Sequence, residues 1–122
     1  MGYHVLDPDD VEPMAANGRE CRSISDAVAF EHVGVNVFDA TPGAQIPLVY
    51  HAHEDQEEVF FVSSGTIRVE TPGETFAIDE GQFFAVEPGN PHRAFVPDDA
   101  DESTTVVAVG APPVDDVSRY EP

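Results

Sequence analysis

Between residues 33 and 110, short runs rich in Val, Phe, Thr and Ile alternate with clusters of Gly, Pro, Asp and Ser. That rhythm predicts strands closed by turns. Gly34 to Asp39 reads as the first strand, followed by a turn at Thr41-Pro42-Gly43. Gln45 to His53 is the next, with Pro47 near its start marking an edge or a bulge. Glu58 to Val62 follows, and Ser63-Ser64-Gly65 turns the chain into Thr66 to Glu70. Thr75 to Ile78, Gln82 to Val86, His92 to Val96 and Thr104 to Val109 complete the series. The turns between them fall at Thr71-Pro72-Gly73, Asp79-Glu80-Gly81, Glu87 to Pro91 and the acidic stretch Pro97 to Glu102. Many short strands with turns about every eight to twelve residues predict an all-β antiparallel sandwich or barrel.

The ends are less regular. Tyr3 to Leu6 could add a short edge strand, and Asp7 to Gly18, with Pro8 and Pro13, reads as loop. Ser25 or Asp26 could cap one helical turn, although Ala27 to Phe30 is too short to assign. Ala111 to Pro122 carries three prolines and reads as an extended tail. The expected organisation is an N-terminal arm (1–32), one barrel (33–110) and a C-terminal tail (111–122). A chain of 122 residues is long enough for one core.

Charge narrows the partners. There are 24 acidic residues against 5 basic ones, a net charge of -19. All the basic residues are arginines (Arg19, Arg22, Arg68, Arg93 and Arg119). Such a surface repels nucleic acid and anionic membranes. Disorder, one common cause of high charge, conflicts with the strand pattern. The acidic, lysine-free composition resembles that of proteins from salt-loving organisms; an acidic protein of a GC-rich mesophile is the alternative. Cys21 is the single cysteine, so no internal disulfide forms. The N-terminus lacks the pattern of a secretory signal, and no apolar run is long enough for a membrane span. The expected compartment is the cytoplasm.

The candidate chemistry lies in His51-Ala-His53 and the residues after it. On a strand, residues i and i+2 share a face, so the two imidazoles project together. Glu54, Asp55 and Gln56 favour a turn, which brings Glu58 back beside them. Two nitrogens and one oxygen converging from a hairpin suit a transition metal, and His92 is the best candidate for a fourth ligand. His4 and His32 read as surface residues. Gln56 lies in the turn, and Glu57 has the opposite parity to Glu58. Arg68 and Arg93 could grip a substrate carboxylate, but in so acidic a chain pairing with Asp or Glu is favoured.

These segments resemble the two motifs of the cupin family of small β-barrels. His51-x-His53, four residues, Glu58, six residues and Gly65 match the first motif; Gly81, Gly89 and His92 match the second. Gly43 stands two residues earlier than is usual, Glu87 replaces a Pro, and Val96 stands where Asn is common. None of these departures touches a metal ligand. The resemblance implies a double-stranded β-helix, or jelly roll, holding one divalent ion (Fe, Mn, Ni, Cu or Zn) on His51, His53, Glu58 and His92. Four protein ligands would leave one or two positions open for substrate or O₂. Ligating imidazoles must be neutral, so metal affinity should fall below about pH 6.5, the ordinary histidine value.

Parity predicts the pocket lining: Gln45, Pro47 and Val49 on the face of His51, Phe60 and Val62 on that of Glu58, and Ala94 and Val96 on that of His92. Such a pocket is apolar and fits a small apolar or aromatic molecule with one metal-binding oxygen better than a phosphorylated sugar. The expected function is that of a metal-dependent enzyme, of oxygenase or isomerase type, acting on a small organic molecule. A non-catalytic small-molecule sensor or binding module is the alternative, and a metal-free structural or storage role a third. Val59 and Phe61, of outward parity, suit a homodimer interface.

Overall fold

The computed structural model describes residues 2–46, 50–113 and 116–121. In chain order its strands are β1 (Met14–Ala16), β2 (Arg19–Ser23), β3 (Gly34–Ala40), β4 (His51–His53), β5 (Glu57–Ser64), β6 (Thr66–Glu70), β7 (Thr75–Asp79), β8 (Phe83–Val86), β9 (Arg93–Phe95), β10 (Thr104–Ala111) and β11 (Val117–Arg119). A short α-helix, α1 (Ile24–Ala27), lies between β2 and β3, and a 3-10 turn covers Pro8–Asp10.

A six-stranded antiparallel sheet runs in the order β1-β2-β3-β10-β5-β8. β10 sits in its middle, paired with β3 and β5, and alternate residues along it are buried. That alternation is what a strand with one face on a core requires. The opposing layer is the sheet β7-β6-β9, with β11 and β4 forming a further pair. Backbone bonds from Ile46 N to Ala94 O (2.9 Å) and between His51 and His92 lay Ile46 beside β9 and His51 beside the residue that precedes it. Phe60, Val62 and Val106 from the large sheet meet Ile67, Val69, Ile78 and Ala94 from the smaller one, with Val96 just after β9. This two-layer jelly roll is the expected double-stranded β-helix.

The ends depart from the sequence reading. Tyr3 to Leu6 forms no strand. Asp7 to Gly18 is not all loop: β1 and β2 form a hairpin around Asn17 and Gly18, both at positive φ. β2 then pairs with β3, with Cys21 opposite Phe38, so part of the expected arm belongs to the large sheet. The helical turn exists, but its cap is Ser23, whose Oγ accepts from Asp26 N at 3.2 Å. The tail also gains a strand, β11, which runs antiparallel to β4 with Val117 opposite His53 and Arg119 opposite His51.

Of the expected strand Gln45 to His53, His51–His53 is a strand among the described residues, and Gln45 and His51 each make an isolated bridge, to Phe95 and to His92. Ile46 and His51 are buried, whereas Gln45 is half-buried. Pro47 and Val49, read as pocket residues, lie outside the described residues. None of the described helices is long and apolar enough to cross a membrane.

Candidate metal centre

β4 presents His51 and His53 toward β5, which carries Glu58, and toward the turn that leads into β9, which carries His92. His51 and His92 are buried, 4% and 1% exposed, whereas His53 and Glu58 are half-buried. Ligand atoms of His51, Glu58 and His92 all lie within 4.8 Å of one another. His92 Nε2 is 3.0 Å from Glu58 Oε1. His53 falls outside that mutually close trio, yet its Nε2 is 3.1 Å from His51 Nε2 and 3.7 Å from Glu58 Oε1. Atoms bound about 2.1 Å from one ion sit about 3.0 Å apart at adjacent corners of an octahedron, so these spacings are of the right size.

The outer ring nitrogens decide which atoms face inward. His92 Nδ1 is 3.0 Å from the carbonyl of Asn90, which can only accept. His53 Nδ1 is 2.8 Å from Asp116 Oδ1. The Asp116 carboxyl is lowered from the usual 3.8 to about 2. The backbone N–H of Asp55 contributes most, burial opposes it, and His53 and the backbone N–H of Gln56 add to it. Both Nδ1 atoms therefore carry the proton in the neutral ring, and both Nε2 atoms present lone pairs. Lone pairs gathered around a carboxylate repel one another unless a cation lies among them, so this donor set fits a divalent metal. Tying the outer nitrogen of a ligand imidazole is also how metal sites orient their ligands.

Phe60 packs edge-on to His92 at 6.0 Å between ring centroids. Phe60, Val62, Ala94 and Val96 point inward, as their parity requires, but they are packed into the core at 0–2% exposure. The open space beside the site has other walls. A cleft of about 580 Å³ runs up to His92, lined by Thr71, Pro72, Phe76, Phe84, Val86 and Pro91 among others. It opens from the turns flanking β7 and β8, which sequence parity does not place at a site.

Of the other residues singled out, His4, His32 and Glu57 are exposed and outside the cluster. Gln56 turns away from the candidate ligands and donates to Pro112 O at 2.9 Å. Arg93 pairs with Glu70 at 3.0 Å and stacks over Phe95, while Arg68 donates to Thr66 Oγ1. Asp116 is the residue that sequence reasoning missed. It lies 63 positions from His53, and no local spacing signals the contact.

Comparison with known proteins agrees with this architecture. The sugar phosphate isomerase of Silicibacter pomeroyi is 24% identical, with a TM-score of 0.77 over 88% of this chain and 75% of that one. The polyketide cyclase RemF of Streptomyces resistomycificus is 16% identical, with a TM-score of 0.81 over 98% of this chain and 87% of that one. A predicted oxalate decarboxylase of Thermotoga maritima is 16% identical, with a TM-score of 0.74 over 88% and 98%. At these identities the likeness is one of fold. No curated protein sequence matches the chain. The Cupin domain family model matches residues 36–109, most of the strands and all the candidate ligands, and the chain therefore belongs to the cupin family.

Proposed function

We propose that His51, His53, Glu58 and His92 hold one divalent transition metal ion, and that the protein is a metal-dependent enzyme acting on a small organic molecule. The observation that carries this reading is the convergence of these donors with the outer nitrogens of His53 and His92 already engaged. When bound, the ion supplies a Lewis acid with open positions for a substrate oxygen or for O₂. Fe, Mn, Ni, Cu and Zn all suit such ligands.

The cleft beside His92 is the proposed substrate site. Its walls include Phe76, Phe84, Val86 and Pro91, and none of the five arginines lines it. A phosphorylated sugar would want cations there. An apolar or aromatic molecule with one metal-binding oxygen fits better, with oxygenation or isomerisation as the reaction type. The structural relatives named above bear names of three different reactions, so fold does not choose among them. One observation favours the alternative of a binding or sensor module: besides His92, Glu87 is the one ionisable side chain among the residues lining the cleft, and it is exposed.

A homodimer and a cytoplasmic location complete the reading. The outward pair Phe61–Phe83, 4.6 Å between centroids with Phe83 67% exposed, supports a protein contact. The charge of -19 supports adaptation to concentrated salt. The deciding experiment is elemental analysis of untagged protein purified in high salt, followed by oxygen-uptake and isomerisation assays. About one metal per chain with turnover supports the enzyme; metal without turnover of any candidate supports the binding module; absence of metal after supplementation sinks the metal reading.

A further inference from the structure

We propose that Asp116 is a positioning residue for the metal ligand His53, which makes the C-terminal segment a working part of the site. Its consequence for metal binding rests on the reading above; its geometry does not.

The carboxylate divides its two oxygens. Oδ2 accepts from Asp55 N at 2.6 Å and from Gln56 N at 2.9 Å. Backbone N–H groups can only donate, so both contacts consume lone pairs. Oδ1 faces His53 Nδ1 at 2.8 Å. One side chain, 8% exposed, thus closes the turn after β4 and fixes the ring at the end of β4. The rest of the segment holds Asp116 in place. β11 pairs with β4, Tyr120 N donates to Tyr50 O at 2.9 Å, and the rings of Tyr50 and Tyr120 lie 4.8 Å apart.

The need for this tether differs between the ligands. His92 donates its outer hydrogen bond to the carbonyl of Asn90, in its own turn. His53 is the ligand outside the close trio, and its outer bond comes from the far end of the chain. With the ring held through Nδ1–H, Nε2 keeps a lone pair directed at His51 and Glu58. Without Asp116 the ring is free to turn and to carry its proton on Nε2, where it cannot ligate.

The test uses the full chain with ¹⁵N-labelled histidine. Long-range ¹H–¹⁵N spectra of the metal-free protein near pH 8 should show His53 protonated at Nδ1. In Asp116→Asn the amide has one acceptor oxygen for two sets of donors. His53 should then shift toward the Nε2–H form while His92 stays unchanged. Affinity for Co²⁺, followed by its absorption spectrum, should fall about 10- to 100-fold. Asp116→Glu should recover part of both effects. A wild-type His53 protonated at Nε2, or unchanged tautomer and affinity in Asp116→Asn, overturns the proposal. If the variant fails to fold, the wild-type tautomer alone decides. A wild-type protein that takes no Co²⁺ sinks the metal reading, while the tautomer still decides the role of Asp116.

Discussion

His51 and His92 exchange both of their backbone hydrogen bonds: the N–H of His51 reaches the carbonyl of His92 at 3.1 Å, and the reverse bond is 2.8 Å. Two candidate ligands 41 residues apart in sequence are therefore held together by main chain. Their side chains approach because the backbone places them, with ring centroids 4.6 Å apart. A site built in this way keeps its shape without the ion, and the ion adds stability by binding the folded form.

The double variant His51→Ala, His92→Ala should retain the strand signal in far-ultraviolet circular dichroism and lose its metal. With ligand at 100 times its dissociation constant, the wild-type protein gains about 2.7 kcal/mol, or roughly 10 °C in midpoint for a domain of this size. Chelation should remove that gain from the wild type and change the variant little. An equal response in both proteins would place the ion elsewhere.

Gly65 tests the closure between β5 and β6. Its φ is +86°, and a Cβ there would lie 2.9 Å from the Cα of Thr104 and closer still to its Oγ1. Thr104 cannot yield, because its hydroxyl bonds both Thr66 N and Thr66 O. Gly65→Ala should cost about 1–3 kcal/mol, read as a lower urea midpoint at unchanged slope. An unchanged midpoint would mean that the turn relaxes.

The sequence shows the barrel strands clearly because one face of each is apolar, as in Thr66–Glu70, where Ile67 and Val69 are buried. The candidate ligands are legible for a related reason: His51 and His53 share a short strand, and strand periodicity is local. The β1–β2 hairpin was also written, in Asn17-Gly18, a strong two-residue turn signal. Its flanks, Met14-Ala-Ala and Arg19-Glu-Cys-Arg, are too polar to read as strands by pattern. Two features were not legible. Gln45, read as pocket lining, is half-buried and bridges Phe95, while its neighbour Ile46 is the buried residue. Asp116 reaches His53 through the pairing of β11 with β4, and long-range pairing leaves no trace in local spacing.

The low carboxyl of Asp116 sets an acid limit on tail docking. Its folded value, about 2, lies below the unfolded 3.8. The stabilisation is thus present above pH 4 or so and is lost as pH falls from there toward 2. In metal-free protein, the amides of Asp55 and Gln56 should stay protected from hydrogen exchange at pH 4.5. They should lose protection ahead of the core as the pH approaches 2. Asp116→Asn should show weak protection at both values. Equal protection of these amides in the variant at pH 4.5 would contradict the assignment.

Salt should stabilise this protein. The five arginines cannot neutralise 24 carboxylates, and among the described residues the arginine pairs, such as Arg22–Asp39 at 2.9 Å and Arg93–Glu70 at 3.0 Å, are few. Raising NaCl from 0.1 to 1 M shortens the screening length from about 10 to 3 Å, which weakens the long-range repulsion first. The urea midpoint should rise across that range and continue to rise above it. A falling midpoint would mean that the arginine pairs outweigh the net charge.

The cleft beside His92 makes the last prediction. Phe76 and Phe84 stand 5.3 Å apart at 52°, forming an apolar wall that leads to the ring of His92. On the proposed reading, a small aromatic carboxylate such as benzoate lays its ring on this wall and offers an oxygen to the metal. A sugar phosphate finds no arginine there to replace its hydration. Calorimetry on the metal-loaded protein should therefore give tighter binding for benzoate than for a hexose phosphate. Phe84→Ala should weaken the aromatic ligand about tenfold, the effect of losing roughly 1.5 kcal/mol of apolar contact. The same substitution should leave the metal content unchanged, since Phe84 lies outside the donor set. Preference for the phosphate, or indifference to Phe84→Ala, would move the substrate site away from this cleft.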